Sequence, residues 1–105
     1  SNNIVNIIDE KLNIKVFVTN KKRFITEGDL KNKELDSKLL ELIEERKRYE
    51  SINKETINKI SGYFVIYPII VESDILGLLM FAKETVFTNE EKILTNIILK
   101  LIENH

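Results

Sequence analysis

The chain has no cysteine, no tryptophan, one methionine, one proline, one histidine and three glycines in 105 residues. Without cysteine there is no disulfide, no thiol nucleophile, no cysteine-bound zinc and no thiol-linked chromophore. The single histidine, His105, is the last residue, which leaves a Ser-His-Asp arrangement, a histidine base or a histidine-rich metal site without a scaffold. No catalytic residue, no metal ligand and no cofactor is therefore expected. The glycines are isolated, so no phosphate-cradling loop is present, and Gly77 is read as a point of close packing or a bulge. An excess of one charge is lacking too. Lys and Arg total 16 against 17 Asp and Glu, for a net charge of -1, which gives no electrostatic case for nucleic acid or an anionic membrane. No apolar run reaches the roughly 18 to 20 residues that span a bilayer, and no basic-then-apolar secretion signal opens the chain. A cytoplasmic location with no membrane partner is expected.

What is present is 43% hydrophobic and 31% charged residues, enough for one domain with a core of its own. The stretch from Ser61 to Lys83 holds two runs apolar at nearly every position, Tyr63 to Val71 and Ile75 to Ala82, parted by Glu72-Ser73-Asp74. This predicts a β-hairpin with both faces covered, since a helix through it would cross Pro68, Ser73-Asp74 and Gly77. Before it, Asn3 to Leu12 predicts an amphipathic helix, and Ile14 to Val18 with Phe24 to Thr26 a second hairpin turning near Asn20. Asp36 or Ser37 can cap a helix running to about Arg48. From Tyr49 onward a loop and then an edge strand over Glu55 to Ile60 are expected. Thr88-Asn89-Glu90-Glu91 is a capping box opening a last helix with Ile93, Leu94, Ile97, Ile98, Leu101 and Ile102 on one band and Leu99 outside it.

That order of elements gives an α+β domain, a five-stranded antiparallel sheet with the N- and C-terminal helices on one face and the middle helix near the other. The band on the last helix is wider than one sheet contact needs. A homodimer or tetramer joined through the terminal helices is expected, with Ile4, Ile8, Leu94, Ile97, Ile98, Leu101 and Ile102 at the subunit interface.

The order of elements resembles a GAF domain, and Tyr67-Pro68-Ile69 followed by Ser73-Asp74-Ile75-Leu76-Gly77-Leu78 is similar to that fold's central hairpin. Over almost the whole chain the likeness is to the GAF-type C-terminal domain of AbrB-type transcription regulators of spore-forming bacteria, the stage V sporulation protein T family. It rests on Val16 to Lys22, on Asp36 to Arg48 with its Leu42-Ile43-Glu44-Glu45-Arg46 core, and on Tyr63 to Lys83. The resemblance implies a non-catalytic sensor and oligomerisation module whose terminal helices join subunits. It also implies an N-terminal swapped-hairpin DNA-binding domain that this chain, opening Ser1-Asn2, does not contain, so DNA is a partner only through that domain. A small-molecule effector is expected without an identity. The alternatives are a ligand-free dimerisation module and a signalling domain of a kinase or cyclase.

Three residues are candidates for the effector. Tyr63 and Tyr67 lie two apart and share a strand face, where a hydroxyl can orient a ligand between apolar walls, unless a bulge at Pro68 changes the phase. Arg46, in the cluster Arg46-Lys47-Arg48, can meet an anion, although the cluster also suits a helix C-terminus. Glu44-Glu45 and Glu90-Glu91 sit at adjacent helical positions, which diverge by about 100° and cannot share a substrate or metal.

Overall fold

The central hairpin is the spine of the computed structural model, which describes residues 13–105. The elements follow as β1 (Lys15–Val18), α1 (Ser37–Glu45), β2 (Tyr49–Glu50), β3 (Glu55–Ile57), β4 (Ile60–Val71), β5 (Asp74–Lys83) and α2 (Asn89–Glu103). They form an α+β domain with a five-stranded antiparallel sheet. Its main path runs β1-β5-β4-β2, and β3 pairs with the first part of β4. The helix expected over Asn3 to Leu12, with Ile4 and Ile8, lies outside the described residues.

Both hairpins built on β4 turn through two residues in left-handed conformation, Asn58-Lys59 (φ 51° and 68°) and Glu72-Ser73 (φ 51° and 73°). This is the turn whose twist matches paired strands, and asparagine and glycine fill it most cheaply. Glu72 and Ser73 hold it at a cost, on the order of 1 kcal/mol each.

Pro68 leaves the strand phase unchanged. Leu78, its partner across β4 and β5, turns both its backbone groups to Thr19, through Thr19 N–H to Leu78 O (3.0 Å) and Leu78 N–H to Thr19 Oγ1 (3.0 Å). The Pro68–Leu78 pair is therefore the kind without ladder bonds, and the missing proline N–H would have pointed away from β5, past the end of β2. Its neighbours on that outer edge are all accounted for. Phe64 N–H donates to Ser51 Oγ (2.9 Å), Ile66 pairs with Tyr49, and Ile70 N–H donates to Glu103 Oε2 (2.9 Å). The register slips instead between Ile69 and Ile70, which face Gly77 and Ile75 and leave Leu76 as the extra residue. Next to that bulge, Gly77 meets the end of the β1 strand: a Cβ there would lie 1.8 Å from Thr19 O. Only glycine permits this approach.

Alternation along β4 sorts the core into two clusters, one on each sheet face. Val65, Tyr67 and Ile69 join Leu79, Phe81 and Phe87 with Ile98 and Leu99 of α2. Phe64 and Ile66 join Leu78, Met80 and Ala82 with Leu39, Leu42 and Ile43 of α1.

Three local expectations are corrected. The hairpin after β1 does not form a second strand. Asn20 Oδ1 accepts from the N–H groups of Lys22 and Arg23 (2.8 Å each), only Thr19 and Phe24 bridge across the turn, and beyond them Ile25 N–H donates to Val18 O (2.9 Å) while the Thr26 hydroxyl bonds both backbone groups of Val18. The fifth strand comes instead from Tyr49 and Glu50, which pair with Ile66 and Val65. The middle helix ends at Glu45, because Arg46 turns left-handed (φ 56°) and directs its N–H back to Ile43 O.

Candidate functional site

Asp36 organises one end of the domain. As the cap of α1 it accepts from Leu39 N–H through Oδ1 (3.1 Å), and its Oδ2 accepts from Asn58 N–H (2.8 Å). Asn58 answers through Oδ1, accepting Asp36 N–H (2.8 Å), and its amide donates to Glu34 O (3.1 Å). These bonds tie the β3–β4 turn to the helix start. Between that turn, β1 and the connection 26–36 opens a cleft of about 990 Å³, within the range of small-molecule sites.

Phe17, Leu30 and Ile60 give the cleft apolar surface, and each packs against the α1-side core. Its carboxylates are mostly committed: Glu27 pairs with Lys31, Glu34 with Arg23 (3.5 Å), and Asp36 with the amides above. The side chains of Lys33, Lys59 and Asp29 also line it, and none makes a hydrogen bond or ion pair with another described residue. Lys15 lines the β1 wall.

The three sequence-derived ligand candidates do not converge on this cleft. Tyr67 is 6% exposed, on the opposite sheet face, and its hydroxyl donates to Thr95 Oγ1 (2.7 Å), which itself donates to Lys92 O (2.9 Å). The Arg48 guanidinium lies over its ring, 5.0 Å from the centroid, and the two share a shallow hollow with Asn89, Lys92, Ile93 and Asn96. Tyr63 packs, half-buried, against the same cluster as Tyr67. Arg46 reaches the other way, donating through Nη2 to Ser73 O in the β4–β5 turn (2.7 Å).

No protein-family model matches the chain, and no curated protein matches it. Chemistry must therefore be read from the geometry. Among the described residues no group of three or more His, Cys, Asp or Glu side chains is placed to share a metal ion, and no helix is long and apolar enough to cross a membrane. A second polar cluster ties the β2–β3 loop: Tyr49 and Ser51 both donate to Glu55 Oε2 (2.5 and 2.6 Å). Burial, then the hydrogen bond and charge of Glu55, push the Tyr49 phenol up to about 12, so it stays a neutral donor.

The α2 candidates divide by face. Ile98 is buried in the core and Leu94 packs half-buried against it, whereas Ile97 (51% exposed), Leu101 (56%) and Ile102 (38%) face outward. Ile93 joins that outward ridge at 62%. Leu99 and Thr95, outside the expected band or uncounted, are buried at 2% and 1%. The helix is phased by Tyr67, whose buried hydroxyl requires a polar partner, and Thr95 supplies it. Its first turn is fixed by the capping box, in which Thr88 Oγ1 accepts Glu91 N–H (3.1 Å) and Glu91 Oε1 accepts Thr88 N–H (2.8 Å). Lys83 Nζ donates to the other Glu91 oxygen (2.6 Å). Burial alone would raise the Glu91 carboxyl, but Lys83 and Thr88 outweigh it and hold it below the ordinary value.

Sequence reasoning missed the cleft because its walls come from three separate segments. The available signal was Asn58-Lys59 between Ile57 and Ile60, a two-residue turn flanked by apolar positions.

Proposed function

We propose that this domain is a non-catalytic sensor and oligomerisation module of a bacterial sporulation transcription regulator, GAF-like in arrangement and cytoplasmic. In this reading both terminal helices lie on one side of the sheet and join subunits into a homodimer or tetramer, α1 lies on the other, and the cleft beside it takes a small-molecule effector. DNA is held by an N-terminal domain outside this chain. The observation that carries the reading is the outward ridge Ile93, Ile97 and Leu101, spaced by four on a helix anchored to the sheet along its length. Such a ridge on a fixed helix gives a partner subunit a defined surface.

Light scattering tests it. The parent chain is expected to run as a dimer or tetramer, and Ile97→Glu as a folded monomer, because a charge at an apolar contact loses its hydration there. A monomeric parent at high concentration removes the oligomerisation half. A ligand-free dimerisation module remains the second reading, favoured by the commitment of both Tyr67 and Tyr49 hydroxyls to protein partners.

A further inference from the structure

We propose that the cleft between the connection 26–36 and the β3–β4 turn binds a small molecule with a ring-sized apolar body and one anionic group. The body lies on Phe17, Leu30 and Ile60, and the anion between Lys33 and Lys59. The assignment rests on the sensor reading above and adds the chemical class of the ligand.

Three observations combine. The first is size with an apolar floor: about 990 Å³ over three partly buried side chains that pack against the α1-side core, so the floor rests on the packed protein. The second is the charge account. Of the four carboxylates lining the cleft, Glu27 and Glu34 are paired with cations of their own and the Asp36 oxygens are taken by backbone N–H groups, which leaves Asp29 beside the uncommitted ammonium groups of Lys33 and Lys59. An ammonium without a partner gains most from a charged acceptor, so these two lysines favour a ligand with an anionic group. The third is rigidity. The reciprocal Asp36–Asn58 bonds fix the turn that carries Lys59, and Asn58 also holds the backbone at Glu34, next to Lys33. Across the cleft, Thr26 is fixed to both backbone groups of Val18. Walls held from both sides spare a ligand the cost of ordering them.

The test is a titration of the isotope-labelled 105-residue chain, followed by its amide resonances, with phenylacetate, phenyl phosphate and phenylacetamide as probes. Phenylacetate or phenyl phosphate is expected to move the Phe17, Leu30, Lys33 and Ile60 resonances saturably, and about tenfold more tightly than the neutral amide. Whichever anion binds more tightly distinguishes a carboxylate from a phosphate ligand. The double variant Lys33→Met, Lys59→Met, at exposed positions where folding is not at stake, is expected to bring acid and amide to equal affinity. Equal binding of acid and amide by the parent overturns the anion assignment and leaves the sensor reading standing. If no probe moves those resonances, or shifts are confined to α2, the cleft is not the site and the sensor reading falls with it.

Discussion

The two faces of the sheet are closed by different means. Over the Tyr67 face, α2 is pinned along its length: Glu91 to Lys83 at the start, Thr95 to Tyr67 in the middle, Glu103 to Ile70 N–H at the end. Over the Phe64 face, the shorter α1 is held at its two ends, by Asp36 to Asn58 and by Arg46 to Ser73 O. Polar ties spread along a helix fix its rotation, and with it which side chains face outward. Ties at the ends fix only where the helix begins and stops, and they leave room beside it. The ridge and the cleft thus follow from two ways of fastening a helix.

Breaking the end tie should have the largest effect. Asp36→Ala removes the helix cap and leaves Asn58 N–H without its acceptor, a loss of about 2 to 3 kcal/mol in urea unfolding. Amide exchange should quicken in α1 and the β3–β4 turn before it does in α2; uniform loss of protection would show that the two faces are one unit.

On the other face, Glu91→Gln should cost about 1 kcal/mol at pH 7. The folded carboxyl lies below the ordinary 4.5, so its contribution is present above that value and is lost as the pH falls through the folded value. Urea midpoints of parent and variant should converge in acid, and a constant gap down to pH 2 would disprove the linkage.

The smallest effect has the opposite sign. Glu72→Asn with Ser73→Gly relieves two left-handed residues and should raise stability by about 1 kcal/mol or less, read as an increase in thermal midpoint. No change would show that the two left-handed residues store no net strain at this turn, since the acceptor of the Arg46 bond is the main-chain oxygen that glycine keeps.

The parts of this fold that depend on neighbours in sequence were legible. Thr88 to Glu91 announced its capping box, Asp36 or Ser37 a cap that the structure assigns to Asp36, and the two apolar runs their hairpin, because each acts within four residues or repeats over a whole strand. The parts decided at a distance were not. Tyr49 and Glu50 become a strand only because Val65 and Ile66 offer an edge, and the helix ends at Arg46 without the glycine that would have marked it. Leu99 was not legible as a core residue because Ile93 and Ile97 are as apolar as Ile98 and Leu99, and the ties of α2 to Lys83, Tyr67 and Ile70 select between them. The cleft needed Asp36 and Asn58, which lie 22 residues apart, to meet.

The outer edge of β4 bears on how this protein avoids edge-to-edge association during folding. Twelve residues of almost unbroken apolar strand are the kind of segment that recruits other chains edge to edge. From Phe64 onward, every N–H that edge could offer is taken by Ser51, β2 or Glu103, or is missing at Pro68. A stray strand arriving there finds acceptors but no donors, so it cannot extend a ladder. Glu103, near the end of α2, closes the last of these positions, so a chain whose final helix has not yet docked is the form most exposed to aggregation.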